Sequence, residues 1–290
     1  MKKVLFTNSF ILKVLAIVTM TLDHIGFMMI SYGIGSYDAA YFLRIIGRIA
    51  MPLYAFMAVE GALHSKNIGK YILRLGIIGS AVFLYQLVTE ILTLNHISGF
   101  TRIWQGNIFI DLILIVLMIY LFNQKKIWMK LLGLIPIVIG VVSLFLYSYE
   151  LSNNLVYFFP YFLRPQYDLM AILLALLFYL VRKLLNAIYT TAGLNPEYHQ
   201  ETTSYHIYLN LLFALAVGIV GFYQFSLQFV FPKLVYWDTT LQMYMMFAAL
   251  PLLFYNGRRG YDSKWFRIVS YLYYPVHLIL IYLIFSLLSI

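Results

Sequence analysis

Charged residues are scarce in this chain, and cysteine is missing altogether. Asp, Glu, Lys and Arg make up 11% of the 290 residues, whereas a soluble domain has roughly 25%. So few charges cannot cover a water-facing surface, which excludes a soluble globular protein. The absence of cysteine excludes disulfide bridges and thiolate metal sites, and we predict no metal cofactor.

Hydrophobic residues take the place of the missing charges, at 63% of the sequence and a mean hydropathy of +0.85. Apolar segments close to the roughly 20 residues that cross a bilayer recur along the chain. They cover 10–31, 40–63, 71–94, 107–122, 131–149, 167–181, 206–227, 239–255 and 268–289. The sequence therefore predicts an all-α, polytopic integral membrane protein with about nine transmembrane helices (eight to ten), in one domain over residues 1–290.

The distribution of Lys and Arg predicts the orientation. The first segment begins like a signal peptide but has no small-residue cleavage site, so we expect it to be retained as a span. With the amino-terminus inside, the outer loops hold only Arg102, Arg164 and Lys233. This positive-inside bias predicts a multi-pass protein of the cytoplasmic membrane with an extracytoplasmic carboxy-terminus. The excess of Lys and Arg on the inner side accounts for the net charge of +9, so a nucleic-acid partner is not expected.

Two stretches between apolar segments are expected to be loops. Residues 150–166 are aromatic and broken by proline, which favours an interfacial loop because aromatic rings prefer the headgroup level. Residues 184–205 are the longest polar stretch, and they are interpreted as a cytoplasmic loop.

Ionisable residues within the first two spans indicate a functional site. Asp23 and His24 lie in the first span, and Arg44 and Arg48 lie in the second. Charges at membrane depth are unfavourable and mark functional sites by default. A helical rise of about 1.5 Å per residue puts His24 roughly 10 Å below the outer face, at a depth matching the two arginines. The structural alternative is a buried Asp23–Arg44 ion pair that locks two helices. We expect Asp23 to face an arginine, with a second arginine left over beside His24.

A second polar cluster lies at the inner end of the second span and in the turn that follows. A basic rim here suits a phosphate-bearing ligand, although the positive-inside rule also explains it. The candidate ligand-binding residues are Glu60, His64, Lys66, Asn67, Lys70 and Arg74.

Other buried polar positions are candidates for the acceptor side or for a cavity. Asn107 and Asp111 lie one helical turn apart at a depth similar to that of His24. His277 follows Pro275 in the last span, where proline frees backbone carbonyls and kinks a helix. Glu90 and Asp168 lie at outer helix ends, where solvation at the interface is the simpler explanation.

Four stretches carry a resemblance to a known family. They read KVLAIVTMTLDHIG, LRIIGRIAMPLYAFMAVEGALHSKNIGKYILRL, GNIFIDLILIVLMIYL and FRIVSYLYYPVHLILIYLI. With these Asp-His-x-Gly and Gly-Arg-x-x-x-Pro elements, the chain resembles the TraX family of membrane proteins over its first 120 residues and its last 25. That family is associated with amino-terminal acetylation of conjugative pilin, and it resembles multi-span acyltransferases that use cytosolic acetyl-CoA.

The resemblance implies a single transmembrane acyltransferase-like domain with acetyl-CoA as donor and an unknown extracytoplasmic acceptor, a protein amino-terminus or a glycan. It points to Asp23, His24, Arg44, Arg48, Glu60, Asn107 and His277. His24 is the expected general base, with nucleophilic catalysis by its imidazole as the variant. The arginines would stabilise an oxyanion or hold donor phosphate, and Asp23 would orient one of them. A transporter or flippase with an intramembrane charged pathway is the alternative from another class, and a non-catalytic scaffold is a third.

Overall fold

The chain folds as a bundle of α-helices. The computed structural model describes residues 5–97, 106–152, 163–200, 202–230 and 239–289. Its helices are α1 (Ser9–Tyr32), α2 (Tyr37–Gly47), α3 (Ala50–His64), α4 (Ile68–Leu94), α5 (Ile108–Phe122), α6 (Ile127–Leu132), α7 (Ile135–Ser152), α8 (Asp168–Thr191), α9 (Pro196–His199), α10 (Thr203–Val230), α11 (Thr239–Met243), α12 (Ala249–Leu253) and α13 (Lys264–Leu288), with a 3₁₀ turn at Tyr244–Ala248. The described residues hold no sheet, so the predicted all-α class is confirmed.

Several of these helices can cross a membrane. In the described ranges, seven helical segments are long and apolar enough: Ser9–Tyr32, Tyr37–His64, Ile68–Leu94, Ile127–Leu146, Asp168–Thr191, Thr203–Leu227 and Lys264–Leu288. The apolar segments Ile108–Phe122 and Thr240–Leu253 are shorter. The chain is therefore a multi-pass membrane protein, and the count of about nine spans stays a prediction.

The polar stretch 184–205 is mostly helical, so its interpretation as a loop is wrong. α8 continues to Thr191 because Leu185 is buried and prolongs the apolar face of the helix. The connection to α10 is only residues 192–202, and it contains α9. The predicted interfacial loop at 150–166 falls mainly on residues 153–162, which lie outside the described ranges.

α3 lies at the centre of the bundle, packed against α1, α5 and α8. Its Phe56 is 1% exposed and meets the rings of Phe178, Phe213 and Tyr255 edge-on, at centroid distances of 5.1 to 5.6 Å. Edge-to-face pairs add roughly 0.5–1.5 kcal/mol each beyond the area that they bury. This aromatic cluster therefore holds α3, α8 and α10 together.

The start of the chain is tied to the segment that precedes α13. The backbone N–H of Thr7 donates to the carbonyl of Phe254 at 3.0 Å, and that of Ser9 donates to the carbonyl of Arg258 at 2.9 Å. α1 then packs along α13. These contacts place the first and last spans side by side.

α1 and α2 approach closely because glycines lie at their contact. A Cβ atom on Gly26 would lie 2.9 Å from Cγ of Arg44. Small residues let two helix backbones come together in a membrane, where packing is the main driving force for association. The short separation brings the polar groups of α1 directly against those of α2.

Candidate functional site

Asp23 on α1 faces both arginines of the following span. Nη2 of Arg48 donates a hydrogen bond to Oδ1 of Asp23, and Nε of Arg44 lies 3.8 Å from the same oxygen. Arg48 is only 5% exposed. The expectation of one arginine left over is therefore wrong, because residues one helical turn apart carry both guanidinium groups to a single carboxylate.

His24 points toward α13 and meets His277. Nδ1 of His24 lies 2.8 Å from Nε2 of His277, and Nδ1 of His277 lies 2.8 Å from the backbone oxygen of Tyr273. The two histidines are 8% and 5% exposed. The sequence placed His277 in a cavity or on the acceptor side, and the structure places it directly against the expected base.

Tyrosine rings enclose this histidine pair. Tyr274 lies edge-on to both imidazoles, with centroids 6.0 Å from His24 and 5.5 Å from His277. Tyr273 stacks on His277 at 4.8 Å, and its hydroxyl is 2.7 Å from Oγ1 of Thr21 on α1. The pair is thereby fixed between α1 and α13 and largely shielded from water.

A cavity of about 1130 Å³ opens where α1, α4 and α13 begin. Tyr54, Phe109 and Tyr274 line its deepest part. Tyr274 is ten residues along α13, which is roughly 15 Å at about 1.5 Å per residue. Phe109 packs against Gly79 in the middle of α4. The cavity therefore reaches about halfway through the bundle and ends at the ring that covers the histidines.

The opposite end of the cavity, here called the basic end, is rich in positive charge. Its lining holds six cationic side chains and two carboxylates: Lys13, Arg74, Arg182, Arg258, Arg259, Arg267, Glu60 and Asp262. Arg182 donates to Oε1 of Glu60, and Nε of Arg267 lies 3.2 Å from Oδ1 of Asp262. Cationic groups exceed carboxylates, so the basic end favours an anionic ligand.

The predicted ligand-binding residues divide into two groups at this cavity. Glu60, His64 and Arg74 line it. Lys66, Asn67 and Lys70 are exposed and lie outside its lining. Asn67 instead caps α4, because its side-chain oxygen accepts a hydrogen bond from the backbone of Lys70 at 2.9 Å.

Sequence reasoning missed the part of the basic end that comes from the carboxy-terminal third. Arg258, Arg259 and Arg267 lie outside the predicted outer loops, so the positive-inside bias already accounts for them and the sequence does not single them out. Their position in the sequence could have indicated a role, because a basic Gly-Arg-Arg-Gly turn comes just before the helix that carries His277. Residues at the start of α13 and in its middle line the same cavity.

The polar candidates of the fifth helix are engaged with backbone groups. Asn107 caps α5 by accepting from the N–H of Phe109 at 3.0 Å, and it donates to the carbonyl of Gly79 at 2.9 Å. Asp111 is 1% exposed and accepts from the N–H groups of Gln166 and Tyr167. These bonds hold the segment before α8, and neither residue lines the cavity.

Asp168 is also buried, which corrects the expectation that solvation at the interface explains it. It is 6% exposed and accepts a hydrogen bond from Oγ of Ser143 on α7. The close packing of α7 on α8 removes it from water.

As for metals, no three His, Cys, Asp or Glu side chains come together as a metal site within the described ranges. The absence of a metal cofactor stays a prediction.

Comparison with known proteins identifies the family. The family model described as TraX protein matches residues 9–285. The chain belongs to the TraX family. Within that family match lie the Asp23–Arg48 pair, both histidines and most of the cavity lining.

This TraX-family chain is also similar to a curated bacterial protein. It is 34% identical over 113 residues to "Probable fimbrial assembly protein FimC, serogroup H1" of Dichelobacter nodosus. The alignment covers 38% of this chain and 44% of the relative, so the chain spans less than half of that protein's length. No solved structure matches the chain. The chain is thus a TraX-family membrane protein with partial similarity to a fimbrial assembly protein.

Proposed function

We propose that this chain is a membrane-embedded acetyltransferase. It would move an acetyl group from cytosolic acetyl-CoA to an amine or hydroxyl at or beyond the outer side of the membrane. One observation carries the proposal: a cavity with a strongly cationic entrance ends at Tyr274, and the ring of Tyr274 contacts both His24 and His277.

The two ends of the cavity match the two ends of acetyl-CoA. The donor carries its phosphates at one end and its thioester on a long pantetheine arm at the other. The excess of cationic groups at the basic end suits the phosphates, and the aromatic inner end suits the arm. A volume of about 1130 Å³ is large beside the roughly 300–1,000 Å³ of ordinary ligand pockets, as a long donor requires.

His24 is suited to act as general base. Imidazole has an unperturbed pKa near neutrality, so the neutral ring can accept a proton from the acceptor. The acceptor nitrogen or oxygen then bonds to the acetyl carbonyl carbon and the carbon–sulfur bond breaks. The protonated imidazole returns its proton to the leaving thiolate, giving coenzyme A as the free thiol.

The ion cluster beside His24 supplies electrostatic stabilisation. Two guanidinium groups share the one carboxylate of Asp23, which adjoins His24 in α1. The three side chains together carry a net positive charge. Such a charge favours the oxyanion that develops on the acetyl carbonyl oxygen, and it acts more strongly where water is excluded.

The family resemblance and the relative support a choice among the acceptor classes. The relative is named for fimbrial assembly, and the TraX resemblance concerns the amino-terminus of pilin. We therefore place a pilus-subunit amine first among acceptors, ahead of other protein amino-termini and cell-surface glycans.

The positive-inside rule puts the basic end in the cytosol, on the side of the donor, with the amino-terminus inside and the carboxy-terminus outside.

The test is transfer of labelled acetyl groups by the purified protein in detergent. Wild-type protein with acetyl-CoA and a pilin-type peptide should release coenzyme A and label the peptide. His24→Ala should lower turnover about 10²- to 10⁴-fold, as expected when a general base is lost. His96→Asn is the matched control, since His96 is exposed and has a left-handed backbone that asparagine tolerates.

Two results would overturn the proposal. The first is normal transfer by His24→Ala. The second is movement of a solute across proteoliposomes with the thioester of acetyl-CoA left intact, which is what a transporter or flippase would show.

A further inference from the structure

We infer that His277 is a positioning residue that fixes the tautomer of His24, so that Nε2 of His24 is the atom that takes the acceptor's proton. The inference rests on the proposed function and adds a role that neither the sequence nor the relative assigns. It is carried by the hydrogen-bond chain from His24 through His277 to the backbone of Tyr273.

The backbone carbonyl of Tyr273 determines which atom donates in each of these two hydrogen bonds. A backbone carbonyl only accepts, so the oxygen of Tyr273 requires a proton on Nδ1 of His277. A neutral imidazole carries one proton, which leaves Nε2 of His277 as an acceptor. Nδ1 of His24 must therefore donate to it across 2.8 Å. Nε2 of His24 then holds the unshared electron pair.

The orientation of the His277 ring is determined by its hydrogen bonds and by its ring contacts. Turning the His277 ring over would exchange Nδ1 with Cδ2 and Nε2 with Cε1, and both hydrogen bonds would be lost. Tyr273 and Tyr274 also pack on the ring, one stacked and one edge-on. Two hydrogen bonds and two ring contacts therefore hold His277 in one orientation.

The remaining nitrogen of His24 is left for a ligand. Within the described part of the chain, Nε2 of His24 has no hydrogen-bond partner, although the residue is only 8% exposed. This atom is not among the fully buried polar atoms that lack a partner in the described ranges, so a bound group can reach it. An acceptor N–H or O–H can therefore donate to this atom.

The proton balance is simple. As the acceptor attacks the thioester carbonyl, its proton moves to Nε2 of His24, and Nδ1–H stays bonded to Nε2 of His277. The resulting imidazolium keeps its partner throughout, and the same Nε2 proton passes to the leaving thiolate. His277 neither gains nor loses a proton overall, which is the behaviour of a residue that orients the base.

The first test reads the tautomer directly. Protein labelled with ¹⁵N-histidine is studied in detergent by long-range ¹H–¹⁵N correlation, with His24→Ala used to assign the signals. We expect Nδ1 of His24 to be the protonated nitrogen and Nε2 the unprotonated one. The reverse pattern would overturn the inference. This readout needs no turnover, so it is informative even if acetyl transfer fails.

The second test compares two amides at position 277. A glutamine carbonyl can reach the place of the imidazole Nε2 and accept from His24, whereas asparagine is too short. His277→Gln should keep the tautomer and most of kcat. His277→Asn should lose the tautomer and lower kcat about 10- to 100-fold, the effect known for residues that orient a histidine bound to a metal. The KM for acetyl-CoA should be unchanged in both.

Size-exclusion profiles and melting temperatures check that both variants fold. Equal kcat in the two variants would show that His277 only packs. If the asparagine variant does not fold, the tautomer of the wild-type protein decides the question alone.

Discussion

A Cβ atom on Gly47 would lie 2.7 Å from the Cα of Asp23, so no side chain fits between these two residues. This contact sets the distance between α1 and the end of α2. It thereby allows the carboxylate of Asp23 to lie under both guanidinium groups. A packing feature of one glycine thus decides the geometry of a buried ion cluster beside the proposed base.

Gly47→Ala should destabilise the protein by displacing Asp23. The new methyl group would overlap backbone as well as side chain, and overpacking of this kind lowers the free energy of unfolding by about 1–3 kcal/mol. Gly76→Ala is the control, since a Cβ there meets nothing within 4 Å. In detergent melting curves, only Gly47→Ala should melt earlier. Equal melting of the two variants would show that the close approach of α1 and α2 is not needed.

Asp23→Ala should be strongly destabilising because it removes the carboxylate from two buried cations. Breaking a buried pair on one side lowers the free energy of unfolding by about 3–5 kcal/mol. Expression and melting temperature should both fall. Arg48 makes the direct hydrogen bond and Arg44 stands at 3.8 Å, so Arg48 should dominate the penalty.

Double variants identify the partner of Asp23. Asp23→Ala with Arg48→Met should regain most of the lost melting temperature, and Asp23→Ala with Arg44→Met should regain less. A better rescue through Arg44 would contradict the pairing seen in the structure. Purification yield and melting temperature of these three variants and of the wild-type protein are the measurements.

Arg258→Gln should weaken the binding of acetyl-CoA, because Arg258 lines the basic end of the cavity. A loss of about 1 to 1.4 kcal/mol would raise Kd roughly fivefold to tenfold. The measurement is the rise in melting temperature with added acetyl-CoA, which reports binding to the folded form. Lys70→Gln is matched in charge and lies outside the lining, so it should leave that rise unchanged. Equal effects would place the donor phosphates elsewhere.

The absence of cysteine allows a clean test of orientation. Single cysteines can be introduced at Lys66 and Ser36, which are both exposed and lie at opposite ends of the span Tyr37–His64. In whole cells, an impermeant thiol reagent should label Ser36→Cys directly and Lys66→Cys only after permeabilisation. The reverse pattern would place the basic end outside and remove cytosolic acetyl-CoA as its ligand.

The sequence by itself determined the class of the protein and several of its helix bounds. Expected spans at 10–31 and 71–94 correspond to Ser9–Tyr32 and Ile68–Leu94, because the length of an apolar run is a local property. It also singled out Asp23, His24, Arg44 and Arg48, since charges stand out in an apolar run.

Tertiary structure alone decided how those residues are paired. His24 and His277 are 253 positions apart, and their contact depends on the rotation and crossing of α1 and α13. The same packing gives one carboxylate to two arginines and carries Arg258 and Arg267 into the lining that ends at Tyr274. Helix rotation and crossing arise from side-chain packing between distant segments, and a local pattern does not encode them.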